Sequence, residues 1–350
     1  MFVWISMLLL IVLSGAFINT YSPKGQKRFL VFSAFILIVV LGSRNAAINH
    51  GSDLNNYYRL YAGAMELDWK HLVQTSTMET GYLFINFILA KIVKWNQFII
   101  YAQAAFCIGS SMYFIRKNTT NVYHAVIYFI CLGPFQFFLT GFRQSIAICI
   151  CFFAYEMAKQ KKLFKFILLI LLACSMHQTA IVFAPVYILV NLNGKKIYTA
   201  LVMTFIFVSS FFVEYLMQWG NDVFEKEYTT AYKGSILGGL IPLVIYGVAL
   251  LLIFMREKKG ANDSNATNQM SRMLLVGAGI YTMRYQALVL ERISFYYTPI
   301  VVPLLANDVQ EIKGSDNRKL VKVLGVVLCI LLFVWRVNTQ IGDYTFFWNV

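Results

Sequence analysis

A succession of apolar stretches separated by short turns constrains this chain more than anything else in its sequence. They fall at roughly 2–20, 29–43, 82–115, 122–141, 143–158, 163–176, 177–191, 197–216, 236–255, 271–288, 293–306 and 320–338. A helix needs about 20 mostly apolar residues to cross a bilayer, fewer where its ends snorkel. Of the 350 residues 59% are hydrophobic and 13% charged, against about 25% charged in soluble domains. So much apolar surface cannot be hidden inside a soluble fold of this length, and lipid has to be the solvent. The expected fold is all-α: a polytopic transmembrane helical bundle of about twelve crossings, with helical and loop segments on its outer face.

The net charge of +14 does not mark a nucleic-acid surface, because no basic segment interleaved with aromatics exists to form one. The cations sit in short loops between apolar runs, where the positive-inside rule reads them as cytoplasmic. The stretch 82–115 is too long for one straight helix and is interrupted by Lys91, Lys94, Trp95 and Asn96, so it is a bent element or a re-entrant piece plus a span. If it makes one net crossing, most of the 30 Lys plus Arg face the cytoplasm, including the turn KQKKLFK. Both termini then lie outside. Two crossings there would turn that turn and every later basic loop outward.

The six cysteines all lie inside apolar segments without metal-ligand spacing and read as packing residues. The N-terminus, MFVWISMLLLIVLSG, has no basic leader and reads as a retained first helix. Residues 44–80 and 217–235 are expected to be outer loops. The polar segment 256–272 is expected to be a cytoplasmic linker between a main helical block, 1–255, and C-terminal helices, 273–350, within one membrane domain. No internal repeat is evident, which weighs against a transporter of paired repeats.

Once the sides are assigned, the charges left unexplained gather on the outer one. Arg44 ends the second apolar stretch; Asp53 follows; Glu79 opens the third. Arg143 lies in the hairpin TGFRQS and His177 in CSMHQTA, while Arg284, Glu291 and Arg292 share one turn. An Arg at the centre of a membrane helix costs about 2.5–3.5 kcal/mol by insertion scales, so one that persists has a partner or a task. Each also has a plainer reading: Arg44 as a snorkelling helix end, Asp53 and Glu79 as acids at helix starts, His177 as turn filler, and Glu291 as a salt-bridge partner of Arg284 or Arg292. Arg143 resists this most, since its hairpin leaves the guanidinium little room.

Arginines suit phosphate or pyrophosphate, which makes Arg44, Arg143, Arg284 and Arg292 the candidate clamp. Tyr57, Tyr58, Tyr61, Trp69, Tyr296 and Tyr297 can stack on sugar faces or form an interfacial belt. No metal constellation, glycine-rich nucleotide loop or nucleophile elbow is present, so neither cofactor nor metal is expected. A lipid-linked pyrophosphoryl sugar satisfies both groups.

At these residues the chain resembles the EpsG-like family of bacterial exopolysaccharide and capsule polymerases, a branch of the Wzy-type polymerases. The resemblance is carried by Arg44 with Gly51-Ser52-Asp53 and Tyr57-Tyr58, by Glu79-Thr80-Gly81-Tyr82 and by Arg143-Gln144-Ser145. It continues in Met176-His177-Gln178-Thr179-Ala180 and Arg292-Ile293-Ser294-Phe295-Tyr296-Tyr297, and spans about 35–300. The terminal GDYTFFWN is not matched securely to it. The resemblance implies a multi-pass enzyme of the bacterial cytoplasmic membrane that polymerises undecaprenyl-pyrophosphate-linked oligosaccharide units on the outer face, alongside flippase and chain-length regulator proteins. On that footing His177, then Asp53, is the candidate base, and Tyr57, Tyr58, Glu79 and Tyr296 are candidate sugar contacts. Two rivals remain: a multi-span glycosyltransferase or ligase using the acid pair Glu66 and Asp68 in the first outer loop, and a lipid-linked glycan flippase.

Overall fold

The computed structural model describes residues 1–46, 53–192, 204, 208, 210–224, 236–258, 265–310 and 314–348. Among these, helix is the only regular secondary structure, apart from one isolated bridge between Arg44 and Phe346. The helices are α1 (Phe2–Phe17), α2 (Pro23–Gly42), α3 (Leu54–Glu66), α4 (Trp69–Gln74), α5 (Thr80–Ile92) and α6 (Phe98–Asn118). Then follow α7 (Val122–Cys131), α8 (Pro134–Thr140), α9 (Phe142–Lys159), α10 (Leu163–Met176) and α11 (Val186–Asn191). The last are α12 (Val213–Phe224), α13 (Ile236–Lys258), α14 (Asn265–Thr282), α15 (Val289–Ser294), α16 (Val301–Gln310) and α17 (Ser315–Arg336).

Among the described residues, Pro23–Gly42, Phe98–Asn118 and Ser315–Ile341 are long and apolar enough to cross a membrane. A fourth span is formed if α7 and α8, bent by 44°, count as one. The outward face of α17 carries Leu320, Val323, Leu324, Val327, Leu328 and Leu331, all exposed. A contiguous apolar face of this kind is unstable in water and comfortable in lipid. The protein is a helical membrane protein.

The 82–115 stretch divides, as its polar interruption predicts, into α5 and α6 around 93–97. Other stretches expected as single crossings are also broken. The 122–141 stretch bends at Gly133, whose φ of +129° suits glycine, before Pro134 opens α8. The 177–191 stretch is a 3-10 turn, Gln178–Phe183, followed by α11, and 293–306 is likewise divided by the 3-10 turn Thr298–Ile300. The segment expected as the first outer loop holds two helices, α3 and α4. Most of the expected linker is helical, with α13 ending at Lys258 and α14 beginning at Asn265. The intervening 259–264, most of 197–212 and all of 225–235 lie outside the described residues.

The core runs through α6 and α9, with α2 against α6, α10 against α9, and α16 and α17 against α7. The bundle has two polar ends. At one, Glu156 accepts from Asn118 (3.0 Å) and pairs with Lys159 (2.8 Å), and Asn307 Nδ2 donates to the Asn118 carbonyl (2.9 Å). This is the end with the basic turn 159–162. At the other, the Met1 amino group lies 3.0 Å from Asp343, so the first and last helices place these residues on the same face. The remaining unexplained charges are at that second end.

Candidate functional site

The bend between α7 and α8 creates the first half of the site. A helix end leaves carbonyls without intrahelical partners. Here Cys131 O accepts from Arg336 Nη1 (3.1 Å), and Ile130 O accepts from Gln136 Nε2 (2.8 Å). Gln136 Oε1 accepts from Arg336 as well (3.2 Å). Arg44 is handled the same way: Nε donates to Leu41 O and Nη1 to Leu139 O, both at 3.0 Å, at the C-terminal ends of α2 and α8. Carbonyl ends of helices favour cations, so both guanidiniums are held by carbonyl oxygens, with no carboxylate among their described partners.

Arg44 is 3% exposed, and its Nη2 is buried without a hydrogen-bond partner. Burial pulls its pKa down to about 10, opposed by the Tyr344 hydroxyl, and it stays charged at neutral pH. A cavity of about 270 Å³ opens against Arg44 and Arg336, with Trp4, Tyr246, Tyr281 and Phe295 among its walls. The tail closes another side. Phe346 bridges to Arg44, Asn45 N donates to Thr345 O (2.9 Å), Phe347 N donates to Ser43 O (2.9 Å), and Tyr344 OH donates to Val40 O (2.8 Å).

Arg284 stands behind this wall rather than in it. Its Nε and Nη2 both donate to Glu291 Oε2 at 2.8 Å, and its guanidinium lies over the rings of Tyr281 and Tyr285. Glu291 lines the cavity. Of the two pairings open from sequence, the structure has Arg284–Glu291. Arg292 is exposed, and its backbone carbonyl accepts from Gln144 Nε2 (2.7 Å).

The second half centres on Glu79, the residue just before α5; its side chain makes no hydrogen bond to the helix end. One carboxylate oxygen pairs with Arg143 Nη1; the other accepts from His177 Nδ1 (3.1 Å) and from the Gln178 backbone N–H (3.3 Å). Arg143 Nε also donates to Tyr57 OH (3.3 Å), and Tyr57 stacks on Phe142 with ring centroids 4.7 Å apart. Burial alone would raise the Glu79 pKa, but the His177 hydrogen bond and the Arg143 charge outweigh it and hold the group at about 2. The carboxylate is therefore ionised at neutral pH and can only accept. It follows that His177 carries a proton on Nδ1, turned to Glu79, with Nε2 on the other side of the ring.

Arg44 and Arg143 flank one hairpin. Arg44 grips Leu139 O, and Arg143 lies four residues further on, so chain reach keeps those two backbone positions within about 14 Å. Gly141 between them is required by close approach, since a Cβ there would lie 2.5 Å from the Phe137 ring.

The structure divides the residues picked out in sequence. Arg44 lines the cavity, Arg284 braces its wall, and Arg143, Glu79, His177 and Tyr57 form the ion-pair cluster. Within that cluster Glu79 contacts the His177 ring and also lines a neighbouring pocket. Asp53 is exposed; its backbone carbonyl accepts from the N–H groups of Asn56 and Tyr57. Tyr58 is half-buried against the core, and Tyr296 is buried with its hydroxyl 3.1 Å from Thr179 Oγ1. Of the rival acid pair, Asp68 caps α4 through the His71 N–H (2.9 Å) and contacts the His71 ring (2.8 Å).

Arg336 and Gln136 were missed in sequence. Arg336 carries the same signal as Arg44, an arginine ending an apolar run at the face where the charges gather, but in the last helix.

Among the described residues no group of three or more His, Cys, Asp or Glu is placed to hold a metal ion. Neither a curated protein nor a solved structure matches the sequence. The family model of EpsG matches residues 27–349, which takes in every residue of the cavity and the ion-pair cluster named above except Trp4. The chain belongs to the EpsG family.

Proposed function

We propose that the protein extends exopolysaccharide or capsular polysaccharide on the outer face of the bacterial cytoplasmic membrane, using undecaprenyl-pyrophosphate-linked oligosaccharide units. Membership of the EpsG family makes it an enzyme of polysaccharide biosynthesis of the glycosyltransferase or polymerase kind. The finer reading rests on one observation: a cavity lined by two arginines, each held in place by helix-end carbonyls. At about 30 Å³ per water the cavity has room for about nine waters, a headgroup's share rather than an oligosaccharide's. Its aromatic walls suit the sugar next to the pyrophosphate.

Transfer then proceeds as a displacement at the anomeric carbon of the growing chain. The acceptor hydroxyl oxygen bonds to that carbon as the bond to the pyrophosphate oxygen breaks. The electron pair leaves on the pyrophosphate, whose charge Arg44 and Arg336 stabilise. The hydroxyl proton passes to His177 Nε2, the nitrogen left free by the Glu79 hydrogen bond. Purified protein in liposomes, given synthetic undecaprenyl-pyrophosphate oligosaccharide, is expected to yield a ladder of chains and free undecaprenyl pyrophosphate. Release of the lipid with no product longer than one unit would replace polymerisation by hydrolysis.

About twelve crossings, with both termini outside, fit the reading. The approach of Met1 to Asp343 supports it, and so does the start of α5 beside His177 with its far end leading back to Gln97, which donates to Arg44 O (2.9 Å). A cysteine at exposed Thr77 is expected to react with an impermeant thiol reagent on intact cells. One at exposed Gln160 is expected to stay unlabelled until the cells are opened. The reverse pattern would put the cavity on the cytoplasmic side and remove the lipid-linked donor from reach.

A further inference from the structure

Beside the ion-pair cluster lies a second pocket that the donor reading leaves unused. It has a volume of about 340 Å³ and is bounded by Thr77, Glu79, Thr80, Ser175 and Gln178, with Met78 adding an apolar patch. Its chemistry differs from that of the arginine cavity. Among the described residues no lysine, arginine or aromatic side chain lines it, so it is suited neither to a phosphate nor to a prenyl chain. The one charge, on Glu79, is already compensated by Arg143.

What the pocket offers is neutral hydrogen bonding. Gln178 borders the pocket; its Oε1 has no hydrogen-bond partner but is shielded from solvent, so it accepts from a ligand once the side chain turns toward the pocket. Ser175 Oγ donates to Leu172 O (2.8 Å), which leaves its lone pairs to accept. The floor is firm, because α5 and α10 touch there: a Cβ on Gly81 would lie 2.4 Å from Ser175 Oγ. Hydroxyls, an amide oxygen and a small apolar patch together match the alternating polar and apolar faces of a sugar.

The geometry points to this pocket as the binding site for the terminal sugar of the acceptor, a neutral glycan end. This rests on the polymerase reading above. Donor and acceptor then approach from two sides of the α8–α9 hairpin. Glu79 belongs both to the acceptor pocket and to the pair that orients His177, so the incoming hydroxyl arrives beside the base.

The test uses the full-length protein in nanodiscs and two probes. One is the repeat-unit oligosaccharide released by mild acid from the producing strain's lipid-linked pool; the other is undecaprenyl pyrophosphate. Wild-type protein is expected to give saturation-transfer signals on the oligosaccharide. Thr77→Trp, at an exposed rim position, and Gln178→Leu, which removes the waiting acceptor, are each expected to weaken oligosaccharide binding about tenfold or more. Both should bind undecaprenyl pyrophosphate as the wild type does. Oligosaccharide binding unchanged in both variants, or absent from the wild type, would overturn the assignment. Should Thr77→Trp lose both probes through misfolding, Gln178→Leu alone decides. Failure of the wild type to bind undecaprenyl pyrophosphate would instead count against the donor reading, independently of the pocket.

Discussion

Arg44→Lys is expected to lower polymer formation about 10²–10³-fold, the usual cost of removing one donor that stabilises developing charge. Lysine keeps the charge but not the fork. In the wild type two arms of the guanidinium are taken by Leu41 O and Leu139 O, and the third has no protein partner. A single ammonium set between the same two carbonyls has no geometry left for a cavity ligand. Undecaprenyl pyrophosphate binding should fall with the rate, and Arg336→Lys should follow the same course more mildly, since Gln136 remains to fix its neighbourhood. Arg143→Lys is a weaker test of the clamp, because Arg143 is committed to Glu79. Equal amounts of folded protein, checked by detergent gel filtration, are a precondition. Wild-type polymer yield from Arg44→Lys would mean that the arginine only ties α2 to α8.

His177→Ala should separate binding from transfer. Losing a general base costs roughly 10²–10⁴-fold in rate, while the lipid pyrophosphate should bind as before because His177 is not among the residues lining the arginine cavity. The readout is a single-turnover assay with preloaded donor, paired with a direct binding measurement on the same preparation. Polymer formation within threefold of wild type would remove the histidine from the mechanism and make its contact with Glu79 structural.

Parts of this arrangement were legible in the sequence, and the reasons differ from part to part. The stretch 163–176 matches α10, because Lys162 and His177 bound an apolar run broken only by Lys165 in its first turn. The break in 122–141 was signalled by the Gly133-Pro134 dipeptide, a strong local punctuator, but the surrounding hydrophobicity masked it. Arg44, Glu79, Arg143 and His177 stood out because each is a polar group where the apolar pattern allows none. Their pairing did not: Glu79 and His177 are 98 positions apart, and no local pattern specifies which acid meets which base. The tail was opaque for the same reason, since its partners Ser43 and Asn45 lie some 300 residues upstream.

That tail has a consequence for how the protein is made. The cavity draws its walls from Trp4 and Arg44 near the beginning of the chain and from Arg336, Tyr344 and Thr345 near the end. Domains made on the ribosome take shape in order of synthesis, but this cavity cannot. While the later helices are still being threaded, Arg44 has Leu41 and Leu139 for company and no enclosure. On the proposed reading, the grip on lipid pyrophosphate comes into being only when residues 344–347 fold back onto 43–45, so a chain stopped before them inserts into the bilayer without acquiring it.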